Sequence, residues 1–285
     1  MKVGRDIARL LRVKQYVKNI LVFLPLFFSG HFLDAPMLMI AAVGFLVFCL
    51  TASTVYIIND IKDVKADRRH PTKRHRPIAS GAISTRQAMV VLAGLVVAVI
   101  VLSALYLPML ASLVLAIYVV INILYSCYFK RVPLVDVAII AVGFYLRLLF
   151  GGFVSGIELS SWIILTVIFL SLFMAIGKRR GELVKYSSAS RKVLASYTPN
   201  FLTNNMYAFM ALSIVFYSLW ASGYTPNTLM IATIPLVAFA FMRYSFDIET
   251  SDSDGDPSEI ILKDRTLMVV GTIVAILISL NLYVL

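Results

Sequence analysis

Nine apolar stretches, spread along nearly the whole chain, limit what this sequence can fold into more than any other feature. They lie roughly at residues 17–33, 36–58, 87–107, 109–128, 133–155, 159–177, 204–222, 227–246 and 266–284. Most approach the ~20 apolar residues that a helix needs to cross a bilayer. Of the 285 residues, 60% are hydrophobic and only 14% are charged, against about 25% charged in an ordinary soluble domain. The expected fold class is therefore an all-α integral membrane protein with about nine transmembrane helices. Pro25, Pro108 and Pro235 fall in or beside these stretches, so tilted or kinked helices are expected.

The basic residues give an orientation. Lys2, Arg5, Arg9, Arg12, Lys14 and Lys18 precede the first stretch, and Lys62, Lys65, Arg68, Arg69, Lys73, Arg74, Arg76 and Arg86 lie between the second and third. Lys130 and Arg131 follow the fourth. Lys178, Arg179, Arg180, Lys185, Arg191 and Lys192 follow the sixth, and Arg243, Lys263 and Arg265 lie around the connection from the eighth to the ninth. All of the 26 Lys and Arg except Arg147 thus fall on one side, which the positive-inside rule makes cytoplasmic. The N-terminus is expected inside and the C-terminus outside, in the cell inner (plasma) membrane. The basic stretch from Lys2 to Lys18 is long, and no small-residue cleavage site follows the first apolar run, so no signal peptide is expected.

The net charge of +11 follows largely from that topology. No nucleic acid is expected as a partner, while attraction to anionic lipid or phosphorylated substrates is. Cys49 and Cys127 both sit in apolar stretches and imply no disulfide framework. No Gly/Ser/Pro-rich linker interrupts the chain, so residues 1–285 read as a single transmembrane domain. Its long connections, about 60–86, 178–203 and 247–265, are all on the inside, and chemistry is expected on these loops.

The second apolar stretch ends in Asn59-Asp60-Ile61-Lys62-Asp63-Val64-Lys65-Ala66-Asp67. At ~100° per residue, a helix brings Asn59, Asp60, Asp63 and Asp67 within an arc of roughly 100°. Carboxylates crowded at a membrane edge are costly and rarely incidental. An acidic face of this kind suits a hard divalent cation and, through it, a diphosphate. The same loop continues into a dense basic cluster, Arg68-Arg69-His70-Pro71-Thr72-Lys73-Arg74-His75-Arg76-Pro77-Ile78-Ala79, suited to phosphate oxygens. A loop whose cations merely enforce topology is the plainer alternative, but it leaves the Asn/Asp spacing unexplained.

Three further groupings stand out. Tyr125-Ser126-Cys127-Tyr128-Phe129-Lys130-Arg131 joins aromatic and basic residues at a span end, as interfacial anchors also do. Arg147 lies deep in the fifth stretch and is a functional candidate on that ground. Asp136, eleven residues earlier, shares nearly its helical face but stands roughly 16 Å away along the axis, so any pairing between them runs through water or other helices. Gly177-Lys178-Arg179-Arg180-Gly181-Glu182 reads more as a phosphate site than as a metal site. The last inside loop carries seven acids, Asp247, Glu249, Asp252, Asp254, Asp256, Glu259 and Asp264. It is either solvated or closes over a metal-bound substrate.

The Asn59–Asp67 pattern resembles the first aspartate motif of the UbiA superfamily of intramembrane prenyltransferases, helical bundles around a central lateral cavity. Taken with Gln15-Tyr16-Val17-Lys18-Asn19, Arg76-Pro77-Ile78-Ala79, Tyr125-Ser126, Gly177-Lys178-Arg179 and Leu262-Lys263-Asp264-Arg265, it is similar to the branch that moves a phosphoribosyl group onto decaprenyl phosphate. Ordinary members carry a second Asp-rich motif after the sixth span. Here that loop has a Lys/Arg cluster and the single acid Glu182.

The resemblance implies an enzyme, a Mg²⁺-dependent phosphoribosyltransferase. Its donor would be 5-phosphoribosyl 1-diphosphate and its acceptor a polyprenyl phosphate. Diphosphate would be released, and the product would serve lipid-linked pentose synthesis for the cell envelope. Asn59, Asp60, Asp63 and Asp67 are the expected catalytic residues, with Asn59, Asp63 and Asp67 on the metal. Lys18, Tyr56, Lys73, Arg74 and Arg76 are expected at the donor, and Lys130, Arg131, Arg147 and Lys178 at the polyprenyl phosphate or completing the donor site. The expected partners are these substrates and the bilayer, with self-association into a homo-oligomer admitted. The competing readings are prenyl transfer from a prenyl diphosphate to a small acceptor, and a transporter or lipid-binding protein without chemistry.

Overall fold

The computed structural model describes residues 2–69, 73–186, 192–224, 228–250 and 257–284. Among them there is no strand. The helices in order are α1 (Lys2–Leu10), α2 (Leu24–Phe28), α3 (Ala35–Lys62), α4 (Val64–Asp67), α5 (Thr85–Tyr106), α6 (Met109–Cys127), α7 (Val135–Ser155), α8 (Ser161–Tyr186), α9 (Pro199–Tyr224), α10 (Thr228–Thr250), α11 (Pro257–Lys263) and α12 (Arg265–Tyr283). Eight of these, α3, α5 to α10 and α12, are long and apolar enough to cross a membrane. They correspond to the second through ninth apolar stretches.

The first stretch takes a different form. Residues Val13–Phe23 make a 3-10 helix, and Pro25 then sits in the first turn of the five-residue α2. A 3-10 helix rises roughly 2.0 Å per residue against 1.5 Å for an α-helix. Neither piece is among the helices long and apolar enough to cross a membrane.

The described residues group into two compact units. The first comprises residues 1–127 and 146–158, and the second residues 128–145 and 159–285. Helix α7 therefore contributes its opening half to the second unit and its closing half to the first.

In the first unit, α3 is the central element. Asp34 caps it by accepting the Met37 N–H at 3.3 Å, which satisfies one of the otherwise orphaned first-turn donors. Its Val47, Phe48, Ala52 and Val55 pack with Ala111, Val114, Leu115 and Tyr118 of α6, and with Leu146, Phe150 and Val154 of α7. A second apolar cluster joins Leu10 of α1 to Ile57, Ile78, Ile83 and Ala88. Helix α5 starts at a capping box in which Ser84 and Gln87 bond each other's backbone N–H at 3.2 and 2.9 Å. Only 11% of its apolar window is buried, against 56% for α3. Continuous exposed Val, Ile and Leu on that scale belong against lipid rather than water.

The 3-10 segment lies against α7 at Gly151. A Cβ on that residue would run into the backbone carbonyl of Val22. Backbone cannot swing aside as a side-chain tip can, so Gly151→Ala is expected to lower stability by about 1–3 kcal/mol. Thermal unfolding in detergent measures this, and an unchanged midpoint would show that the two segments do not pack this closely.

In the second unit, Phe173, Ala175 and Ile176 of α8 form a core with Leu202 and Met206 of α9, Tyr244 and Ile248 of α10, Ile260 of α11 and Leu267 of α12. Asp264 caps α12, accepting the Leu267 N–H at 2.8 Å, and takes the Arg243 guanidinium at 2.7 and 2.8 Å. Burial opposes its ionisation, but these donors outweigh burial and hold the Asp264 carboxyl below the usual range.

Candidate active site

The acidic motif falls where α3 gives way to α4. Asp63 ends the first helix and precedes the second, its N–H donating to the Asn59 carbonyl at 2.9 Å. The expected single acidic face divides here into two kinds of residue. Asn59 and Asp63 are half-buried, one helical turn apart, whereas Asp60 and Asp67 are buried. Asp60, 2% exposed, takes Arg12 Nη2 at 2.6 Å and Arg76 Nη1 at 3.0 Å on the same carboxylate oxygen. Arg76 Nη1 also reaches Asp67 Oδ2 at 2.7 Å. Two arginines and two aspartates thus form an alternating, charge-balanced chain. Buried carboxylates demand such partners, since an unpaired charge at that depth would cost several kcal/mol.

The other donor-site candidates surround this chain. The Arg12 guanidinium lies 4.8 Å from the centre of the Tyr56 ring. Lys18 is half-buried on the 3-10 segment. Lys73 and Arg74 form a 3-10 turn with His75, whose carbonyl accepts Arg9 Nη2 at 3.4 Å. Arg74 itself is exposed and contacts His75 Nε2 at 3.3 Å. Lys62 donates to the Ser126 carbonyl at 3.2 Å, tying the motif helix to the Tyr125-Ser126 turn. His70, Pro71 and Thr72 lie outside the described residues.

Magnesium takes oxygen ligands and commonly binds one or two protein oxygens together with water and substrate phosphates. Asn59 and Asp63 fit that pattern. Among the described residues, no three His, Cys, Asp or Glu side chains converge to make a self-sufficient metal cage. The donor set is thus one that a phosphorylated substrate would complete.

Arg147 is buried in the same unit, 6% exposed. Its Nε donates to Asn19 Oδ1 at 2.8 Å and its Nη2 to the Tyr118 hydroxyl at 3.0 Å. The guanidinium stacks over the rings of Phe48 and Tyr118 at 5.2 and 5.1 Å. Asp136, which shares its helix face, is spent elsewhere. Asp136 belongs to the second unit, is fully buried and binds Arg179 Nε at 2.8 Å.

That second unit holds Lys130, Arg131 and Lys178. Arg179, next to Lys178 in the chain, is 1% exposed and also pairs with Glu182 at 3.0 Å. Arg180 bonds Thr203 at 2.8 Å and Glu249 at 3.3 Å. Two members of the run of three cations read as a phosphate site are thus bonded to neighbouring acids and hydroxyls, and Lys178 and Arg180 are half-exposed where Arg179 is buried. Tyr197 completes the buried group. Its hydroxyl donates to Asp136 Oδ1 at 2.8 Å and accepts the Leu134 N–H at 2.6 Å. Burial, together with the Asp136 carboxylate, pushes the Tyr197 phenol up to about 12 against the opposing Leu134 N–H. It stays protonated, and hence a donor, throughout the physiological range. Of the acids in the last inside loop, Asp247 and Asp264 share Arg243, and Glu249 takes Arg180 and the Tyr207 hydroxyl. Asp252, Asp254 and Asp256 lie outside the described residues.

A family model described as "UbiA prenyltransferase family" matches residues 20–260. The chain belongs to the UbiA prenyltransferase family. It is 37% identical to a decaprenyl-phosphate phosphoribosyltransferase of Corynebacterium glutamicum, over 92% of this chain and 82% of the relative. It is also 37% identical to the protein so named in Mycolicibacterium smegmatis, over 94% of this chain and 91% of the relative. The fold is similar to that of a UbiA homolog from Archaeoglobus fulgidus bound to GPP and Mg²⁺. The TM-score is 0.71 at 20% identity, over 98% of this chain and all of the other.

Two buried groups of this UbiA-family chain, one in each unit, escaped the sequence. Arg12 is one of six cations ahead of the first apolar stretch and reads there only as a topology signal. Its partner Asp60 is 48 residues away, and no local spacing links them. The Asp136–Arg179–Tyr197 group escaped for the same reason, since its members come from three separate segments. Asp136 at the start of a span was the one available hint, because a carboxylate there must find a partner.

Proposed function

We propose that this chain transfers the 5-phosphoribosyl group from 5-phosphoribosyl 1-diphosphate to a polyprenyl phosphate. The similarity to phosphoribosyltransferases over more than nine-tenths of the chain carries this reading, and the geometry supplies chemistry for it. The bond between the anomeric carbon and the diphosphate oxygen breaks, and the leaving diphosphate keeps the electron pair. A bond forms between that carbon and an oxygen of the acceptor phosphate. This oxygen is already anionic, so no general base is needed. What remains is positioning, together with neutralisation of the leaving group.

Asn59 and Asp63 would hold Mg²⁺, which when bound neutralises the diphosphate. Asp60 and Asp67 back the same motif. Lys18, Lys73, Arg74 and Arg76 bind donor phosphates, and Tyr56 borders them. Lys130, Arg131 and Lys178 take the acceptor phosphate. Arg147 completes the donor side by fixing Asn19, the neighbour of Lys18. The chain acts as one UbiA-like domain in the plasma membrane, with its N-terminus and catalytic loops in the cytoplasm and its C-terminus outside.

The test uses purified protein, Mg²⁺, labelled 5-phosphoribosyl 1-diphosphate and decaprenyl phosphate. Label is expected in the lipid extract, and is expected to vanish when either Mg²⁺ or the lipid phosphate is omitted. An unlabelled extract, with prenyl transfer observed instead when prenyl diphosphate is supplied, would overturn the reading.

A further inference from the structure

Leu134 has a backbone conformation that its side chain does not explain. Its φ of 66° is left-handed, a region that bulky residues other than glycine rarely occupy. Such a conformation persists where the surroundings impose it. Packing of the side chain is not what imposes it, because Leu134 is 52% exposed. Its N–H is held instead, donating to the Tyr197 hydroxyl at 2.6 Å. That hydroxyl is itself fixed. Tyr197 is 7% exposed, its ring stacks on Phe201 at 6.1 Å, and its O–H donates to Asp136 Oδ1 at 2.8 Å. Asp136 in turn takes Arg179, the neighbour of Lys178 on α8.

Leu134 is also the joint between a cationic turn and a rigid helix. Phe129–Arg131 is a 3-10 turn carrying Lys130 and the exposed Arg131, and the Val132 N–H closes it on the Phe129 carbonyl at 3.0 Å. Pro133 follows and has no N–H to give. The Leu134 carbonyl then accepts the Ala138 N–H at 2.9 Å, as α7 begins at Val135. A change of φ at this one residue re-aims the turn while the helix stays where it is. We infer that Tyr197 is a positioning residue for the acceptor phosphate. By holding Leu134 left-handed, its hydroxyl aims the Lys130–Arg131 turn and registers it against the end of α8 that carries Lys178. A phenol suits this task because one rigidly held oxygen accepts from Leu134 and donates to Asp136. Its proton is secure, since the phenol is pushed up to about 12.

The inference rests on the reading of Lys130, Arg131 and Lys178 as the acceptor-phosphate site, and the test separates the two. KM and kcat are measured on the intact chain in nanodiscs, with decaprenyl phosphate and 5-phosphoribosyl 1-diphosphate varied in turn. Tyr197→Phe keeps the ring and its stacking on Phe201 and removes the hydroxyl alone. It is expected to raise the acceptor KM by about 10–100-fold, the upper end being what a misplacement of ~1 Å can cost. The donor KM is expected to stay within about threefold of wild type, since the donor's cations lie elsewhere in the chain. The double variant Tyr197→Phe, Leu134→Gly supplies a joint that takes the left-handed region at no steric cost. It is expected to bring the acceptor KM back to within about threefold of wild type. A hydroxyl that only stabilised the fold would lower the thermal midpoint without splitting the two KM values and without rescue by glycine.

A wild-type acceptor KM in Tyr197→Phe overturns the inference, as does a double variant no better than the single one. If Tyr197→Phe does not fold, the comparison passes to Leu134→Val. That change sits at an exposed position and adds a β-branch, which tolerates positive φ poorly. There too a raised acceptor KM is expected, and an unchanged one is fatal. Failure of the underlying reading has its own signature, namely Arg131→Gln with the acceptor KM of wild type, which removes the turn from the phosphate site whatever the Tyr197 variants do.

Discussion

Asp63→Asn is expected to lower Mg²⁺-dependent phosphoribosyl transfer by at least about 10²-fold, the scale on which single groups that stabilise developing charge are felt. Asp63 is the half-exposed carboxylate of its motif, placed at the break between α3 and α4. Asp60 and Asp67 are already paired with arginines. An amide at position 63 keeps the shape and one acceptor oxygen but removes the negative charge that favours a dication. The loss should appear chiefly in kcat/KM and should be relieved in part by raising Mg²⁺. Folding is checked by the thermal midpoint in detergent, which should move little at this half-exposed position. Turnover within threefold of wild type would remove Asp63 from the metal site.

The second large effect concerns stability rather than chemistry. Arg179→Met is expected to cost about 3–5 kcal/mol, because it strands charges that the fold has taken out of water. Arg179 is the cation that the structure places on both Asp136 and Glu182, at 2.8 and 3.0 Å. Tyr197 still donates to Asp136, but a phenol hydrogen bond does not neutralise a carboxylate. The triple variant Arg179→Met, Asp136→Asn, Glu182→Gln should recover most of the loss, since replacing every member of a buried ionic group is far milder than removing one. Unfolding of the detergent-solubilised protein by denaturant measures both. A single-variant loss below about 1 kcal/mol, the level of an exposed ion pair, would mean that the group is hydrated.

The two predictions bear on parts of the protein that were unequally legible. The membrane spans could be read because hydrocarbon imposes a length and a composition on every segment that crosses it, and α3, α5 to α10 and α12 follow the apolar stretches closely. The first stretch could not be read in the same way. Composition gives its apolar length but not its winding, and the chain there is a 3-10 helix followed by the short α2. The Asn59–Asp67 motif was legible because its members recur at helical spacing along a short run of chain, here the end of α3, Asp63 and α4. The cation run at Lys178–Arg180 was legible only as positive charge; its pairing of Arg179 with Asp136 and Glu182, and of Arg180 with Glu249, was not, because a linear reading counts those acids separately.

The sequence by itself determined an all-helical membrane protein of the UbiA family and an Asn/Asp motif at the end of the second apolar stretch. It did so because apolar length, charge asymmetry and i, i+4 spacing are properties of local chain. Only the tertiary structure decided which of those acids are buried against arginines. That depends on Arg12 and Arg76 reaching Asp60 and Asp67 across 48, 16 and 9 residues of chain. Pairing of charges in a low-dielectric interior is set by proximity in space, and proximity in space is what folding adds.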